Sequence, residues 1–276
     1  MVVFLLNEET IKKIEGFVKT RPRTIDEVSK LLNKNWRTAD NYVKKIISER
    51  GTIATHTFRG GSRGALKLVY ILSRENFHSS AYQERLFAQI IASRKKEDFN
   101  PFDIYQHVPD EKRRAFLERQ TELEITEKQG LANALRSAET QVLIFSGNLS
   151  WAITRQKETS LLSLLEELIL RKIPIKILCD VDLESLENIQ RIMSLNEKHK
   201  TDLIEIRHAE QPLRAFVVDS KFARFKQHKQ KNIFIFYELT DQEWVDWIQQ
   251  LFWQIFRTSI GAKQRIKDLK SIQQIT

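Results

Sequence analysis

Arg37, Thr38, Asn41, Lys44 and Lys45 fall within nine residues of one another, and their side chains are of the kinds that contact nucleic acid. A guanidinium makes paired hydrogen bonds to guanine O6 and N7, and a carboxamide does the same at adenine N6 and N7. Arg37 and Asn41 are therefore the candidates for base edges, and Lys44 and Lys45 for phosphates. If Ala39, Val43 and Ile46 of the same stretch face a core, the helical period puts these polar residues on or beside the opposite face, with Trp36 at its start. A second basic group follows: Arg59, Arg63 and Lys67 can approach phosphates, and the glycines among them let the backbone come close. Between Lys30 and Arg74 ten basic residues are opposed only by Asp40 and Glu49, a density suited to releasing counterions from a phosphate backbone. The plainer alternative is a basic solvated surface.

The second half offers less chemistry. Ser146, Gly147 and Asn148 follow one apolar run, and Asp180 and Asp182 follow another. Ligands of open parallel sheets bind beyond the carboxyl ends of strands, so Ser146 and Asn148, with Arg214 and Asp219, are candidate ligand-binding residues. Each has a structural alternative: a strand-ending turn at 146–148, a turn cap at Asp219, and solvated or ion-paired guanidinium groups at Arg207 and Arg214. The six histidines, His56, His78, His107, His199, His208 and His228, lack close metal-ligand spacing. The single cysteine, Cys179, ends an apolar run and reads as core. Neither a metal nor a cofactor is expected, and no catalytic residue is assigned.

The elements that must position these groups are legible. Asn7 caps a helix carrying Ile11, Ile14 and Val18; Thr24 with Glu27 forms a capping box for a short helix to Leu32; Asn35 caps a third from Trp36 to Arg50, stopped by Gly51. Two β-rich runs, 52–58 and 65–72, flank a glycine-rich basic tip at 59–64. Three helices and a basic hairpin in this order read as a winged helix-turn-helix. A helix from Ser79 to about Lys96 follows, then charged helical sequence from Asp110 to about Thr140, with Gly130 a candidate break. Strand and helix then alternate: strands at 142–146, 175–179, 203–207, 216–218 and 233–237, helices at 160–171 and 183–198, and a long last helix from Asp241 to about Lys270. Such alternation implies a parallel sheet. The expected fold is α/β, α+β overall: a winged helix-turn-helix domain at 1–78, a helical linker at 79–120 and an α/β domain at 121–276. The charge of +9 is concentrated at the start, where residues 1–80 hold 15 Lys/Arg against 8 Asp/Glu and the rest 30 against 28.

The segment Ile206-Arg-His-Ala-Glu-Gln-Pro-Leu-Arg-Ala-Phe-Val-Val-Asp219-Ser-Lys221 resembles the motif region of the phospholipase D superfamily. That resemblance implies a His-x-Lys pair four residues ahead of an aspartate, the histidine being the nucleophile and the lysine the phosphate ligand. Aligned on Asp219, the histidine position holds Pro212 and the lysine position Arg214. Proline offers no nucleophile, and a second motif copy is absent from the sequence. A winged helix followed by such a catalytically inactive domain is similar to the TrmB-like archaeal transcriptional regulators. This similarity implies a non-enzymatic regulator whose second domain binds an effector, in that group a sugar, or serves oligomerisation.

The sequence expectation is thus a regulator of transcription with double-stranded DNA as its partner, a homodimer, and a small-molecule effector. Dimerisation would use the helix from Tyr82 to Ile91 or part of the aromatic stripe from Trp244 to Phe256. A chromatin-like protein that coats DNA with little sequence preference is the main rival, and a phospholipase D-like nuclease the second. No apolar run reaches the roughly 20 residues that span a bilayer, and the first residues lack the pattern of a signal peptide. A cytoplasmic, nucleoid-associated protein without membrane contact is expected.

Overall fold

The computed structural model describes residues 6–59, 65–71, 81–119, 130–153, 160–230 and 233–273. The chain divides into two compact units, Met1–His78 and Ser79–Thr276.

In the first unit, helix α1 spans Glu8–Thr20 behind Asn7, whose side chain accepts a hydrogen bond from the Thr10 N–H. Strand β1 is the pair Arg23–Thr24, and Thr24 also starts α2, Ile25–Leu32. The Thr24 hydroxyl takes the Glu27 N–H while the Glu27 carboxylate takes the Thr24 N–H, satisfying two of the orphan donors of a helix start. That backbone hydrogen bond from Thr24, joined by Arg21 and Arg23, draws the Glu27 carboxyl down to about 2. Helix α3 runs Trp36–Arg50 from the Asn35 cap to Gly51, which adopts φ 59° and sends its N–H to the Ile46 and Ile47 carbonyls. A left-handed residue at this position is why a glycine ends the helix. Strands β2 (Ile53–Arg59) and β3 (Ala65–Ile71) pair antiparallel, and β1 adds to the far side of β3. Ile11, Ile14, Val18, Ile25, Val28, Ala39, Val43, Ile46, Ile53 and Val69 close the core, so one face of each helix is used for packing. The glycine-rich tip at 60–64, and with it Arg63, lies outside the described residues, as does the side chain of Arg59.

The second unit begins with α4 (Ala81–Ala92) and the short α5 (Phe102–Tyr105), followed by β4 (Arg113–Arg119) and α6 (Leu131–Arg136). Then come β5 (Val142–Phe145), α7 (Leu161–Leu170), β6 (Ile175–Cys179), α8 (Leu186–His199), β7 (Ile204–His208), β8 (Ala215–Val218), β9 (Phe222–Gln230) and β10 (Ile233–Leu239). The chain ends in α9 (Gln242–Thr258), the two-residue β11 (Ile260–Gly261) and α10 (Ala262–Gln273). One sheet holds eight strands in the order β11-β7-β6-β5-β8-β9-β10-β4. Side chains on one face, including Val142, Ile144, Ile175, Ile177, Cys179 and Ile204, join the core with α6, α7, α8 and α10. On the other face α9 lays its aromatic stripe, with Phe252 meeting Phe145 edge to face at 5.1 Å.

Three expectations need correction. The sheet is mixed: only β5, β6 and β7 are parallel, while β8, β9, β10, β4 and β11 pair antiparallel. A parallel return needs a crossover of about a dozen residues or more, and the short connection at 209–214 only turns the chain back. The charged sequence after Asp110 does not begin as helix, since Arg113–Arg119 forms the edge strand β4, while α6 spans Leu131–Arg136 directly after Gly130. Charged residues suit an edge strand because they discourage further pairing. The last helix is broken at Ser259, where the hydroxyls of Thr258 and Ser259 bond back to the carbonyls of Gln254 and Ile255 and the backbone turns extended. The stripe itself is core, with Trp247, Ile248, Leu251, Phe252 and Phe256 all buried. Subunit pairing through that stripe is thereby ruled out for these side chains. On α4, Leu86 and Ile90 are buried while Tyr82 and Ile91 are exposed.

Candidate nucleic-acid interface

The buried side of α3 carries Ala39, Val43 and Ile46 together with Asp40 and Ser48, and the remaining arc carries the candidate contact residues. Trp36, Arg37, Asn41, Lys44 and Lys45 are exposed and Thr38 is half-buried. Trp36 is 58% exposed, a large aromatic left in solvent at the start of the helix. Thr38 is committed locally: its N–H and hydroxyl both donate to the Asn35 side chain at 2.9 and 3.1 Å, which fixes the first turn. Neither Arg37 nor Asn41 is engaged by another described side chain. The residues suited to base edges are therefore the ones left available.

The lysines differ. Asp40, buried on the same helix, receives Lys44 Nζ at 2.9 Å on one carboxylate oxygen and Lys67 Nζ of β3 at 2.7 Å on the other. Burial alone would raise the Asp40 carboxyl, but the hydrogen bonds from Lys67 and Lys44 hold it below the usual carboxylate range. Lys45 lies 3.6 Å from Glu49 in an exposed pair, which counts for little in water. Sequence reading missed Asp40 as an organising group. Its pairing with Lys44 four residues on was legible as helix spacing, whereas the link to Lys67 joins side chains 27 residues apart in sequence.

In the second unit the structure brings together three of the four candidate ligand residues. Ser146, Asn148 and Arg214 lie at one end of β5 and β8, since Phe145 pairs with Ala215. The Arg214 guanidinium is largely buried over Gly147, where an added Cβ would sit 2.7 Å from Nη2, and Nη1 donates to the Gln211 and Leu213 carbonyls at 3.1 and 2.7 Å. Ser146 accepts the Trp151 indole N–H at 3.0 Å through its hydroxyl and the Gln211 amide at 2.8 Å through its carbonyl. Asn148 caps the Ser150 N–H and takes Asn188 Nδ2 on its carbonyl.

Asp219 is not part of this group. It sits beyond Val218, which pairs with Val142 at the opposite end of β5. There its carboxylate accepts from the N–H groups of Glu139, Thr140 and Gln141 at 2.9–3.0 Å and from the Thr140 hydroxyl at 2.7 Å. With φ 49° the residue is left-handed, a conformation aspartate tolerates better than most. This is a turn-capping role.

Pro212 is buried. His208, 3.7 Å from Asp180, accepts the Val181 N–H on Nδ1 at 3.0 Å. Burial and the nearby Arg265 lower its pKa, and with Nδ1 accepting, the neutral form of the ring has its proton on Nε2. Burial and the neighbouring Asp182 charge raise the Asp180 carboxyl. Burial also pushes the Cys179 thiol up, leaving it an inert core side chain. Among the described residues no group of three His, Cys, Asp or Glu could hold a metal ion, and no helix is long and apolar enough to cross a membrane.

Fold and surface together define a winged helix-turn-helix unit followed by a mixed-sheet α/β unit. In structure the chain is similar to TrmBL2, an archaeal chromatin protein described with a novel mode of DNA binding, at 13% identity over 94% of this chain and 95% of that one, with a TM-score of 0.42. It is also similar to Nuc, a phospholipase D family member from Salmonella typhimurium, at 11% identity over 54% of this chain and 97% of that one, TM-score 0.40. NucT from Helicobacter pylori gives 12% identity over 54% and 99%, with the same TM-score of 0.40. No protein-family model matches the sequence, and no curated protein does.

Proposed function

We propose that this protein is a sequence-reading DNA-binding regulator, in which α3 enters the major groove of duplex DNA and the β2–β3 hairpin follows the backbone. The observation that carries this reading is the division of labour on α3. Arg37 and Asn41, which suit guanine and adenine edges, are exposed and unengaged by described side chains, while Lys44 and Lys67 share the buried Asp40 carboxylate. A protein that only coats DNA gains from unopposed lysines, and base-reading groups are dispensable to it. In this reading Trp36 meets the DNA beside Arg37, and Arg59 and Arg63 meet phosphates from the wing.

The second unit is non-catalytic in the proposal, because the proline at the nucleophile position is buried and Arg214 is held by backbone carbonyls. Its role is to take a small-molecule effector near Ser146, Asn148 and Arg214. Pairing of two copies through the exposed Tyr82 and Ile91 of α4 would match a two-fold operator.

The test is titration of the full chain with mixed-sequence duplex DNA over a salt series. Affinity should fall linearly on logarithmic axes, with a slope of about −0.9 for each phosphate contact, and Lys45→Ala should weaken every duplex alike. Absence of any salt-dependent duplex binding would overturn the proposal.

A further inference from the structure

We infer that Asp40 limits how strongly the recognition surface grips DNA regardless of sequence, by keeping the Lys44 and Lys67 ammonium groups on a protein carboxylate instead of yielding them to phosphates. The inference rests on the DNA-binding reading above and assigns a specificity-determining role to an acidic residue within the basic surface. Asp40 is only 6% exposed and binds one lysine from its own helix and one from β3, with one carboxylate oxygen for each. Its two partners keep access to solvent, at 56% and 25% side-chain exposure for Lys44 and Lys67, so both can reach an incoming phosphate. Either lysine that does so must share its charge with Asp40.

The contrast with Lys45 decides which pair matters. The Lys45–Glu49 pair is exposed on both sides and is screened by salt, whereas a buried carboxylate is screened far less. At physiological ionic strength Asp40 therefore remains the main opposing charge beside these lysines. One negative charge against two positive ones removes about one phosphate contact from the sequence-independent affinity. The base contacts of Arg37 and Asn41 are untouched, and the ratio of specific to non-specific binding rises.

Asp40→Asn in the full chain tests this on random-sequence duplex over a salt series. The expected result is tighter binding at low salt with a logarithmic slope steeper by about 0.9, the value of one phosphate contact. That gain should disappear when Lys44→Ala and Lys67→Ala are added. Unchanged or weaker binding by a variant with an unaltered unfolding midpoint would overturn the inference, as would a gain that survives removal of both lysines. Asp40→Ser repeats the test with a smaller side chain should the asparagine variant fold poorly. An arm without variants is amine labelling of the free wild-type chain: Lys44 and Lys67 should label more slowly than the exposed Lys12, and equal rates would overturn the inference. If wild type and Asp40→Asn both fail to bind any duplex, the DNA-binding reading falls and takes this inference with it; wild-type binding that Asp40→Asn leaves unchanged sinks the inference alone.

Discussion

Arg37→Ala should lower affinity for a preferred duplex by about 1–3 kcal/mol, roughly 5- to 150-fold, while affinity for random duplex falls far less. The expectation follows from position and from chemistry. Arg37 is the second residue of α3, in the turn that the Asn35 cap holds rigid through Thr38. In helix-turn-helix proteins this is the part of the recognition helix that reaches base edges. Arg37→Lys sharpens the test, because it keeps the charge and loses the planar fork. The lysine variant should bind random DNA like wild type and still lose most of the preference. Competition binding with both variants measures the two quantities separately.

Asp219→Ala should destabilise the second unit by about 3 kcal/mol or more, since it strands a set of donors that share one carboxylate, at about 1–3 kcal/mol for each buried group left unsatisfied. The loss should appear in urea unfolding followed by the fluorescence of Trp244, Trp247 and Trp253, which are buried on α9 of the same unit. Asp219→Asn keeps one acceptor and tolerates the left-handed backbone, so it should lose less. Near-normal stability in Asp219→Ala would contradict the capping role and return the residue to the list of ligand contacts.

The sequence shows most where signals are local. Thr24 with Glu27, Asn35 before Trp36 and Gly51 after Arg50 each fix a helix end through hydrogen bonds spanning a few residues, and the apolar spacing of α1 to α3 names the core of the first unit. It shows less where partners are distant. Arg113–Arg119 looks helical because its charges are dense, and becomes a strand only because β10 offers seven residues to pair with. Phe222–Gln230 passes unread because its polar residues hide the alternation that β8 and β10 impose. The site divides in the same way. The exposed face of α3 follows from helical period alone, and the pairing of Lys44 with Asp40 from i,i+4 spacing. The Lys67 contact crosses 27 residues of sequence and the Asp219 contacts 78 to 80, so nothing near either residue announces them.

The most direct test of base reading by α3 is selection from a pool of randomised duplexes by the full chain, run in parallel with Arg37→Lys. The account predicts that wild type enriches a short shared motif and that the lysine variant retains DNA without enriching it. A wild-type chain that retains DNA but returns the pool unenriched would contradict it and mark a protein that coats DNA through its phosphates.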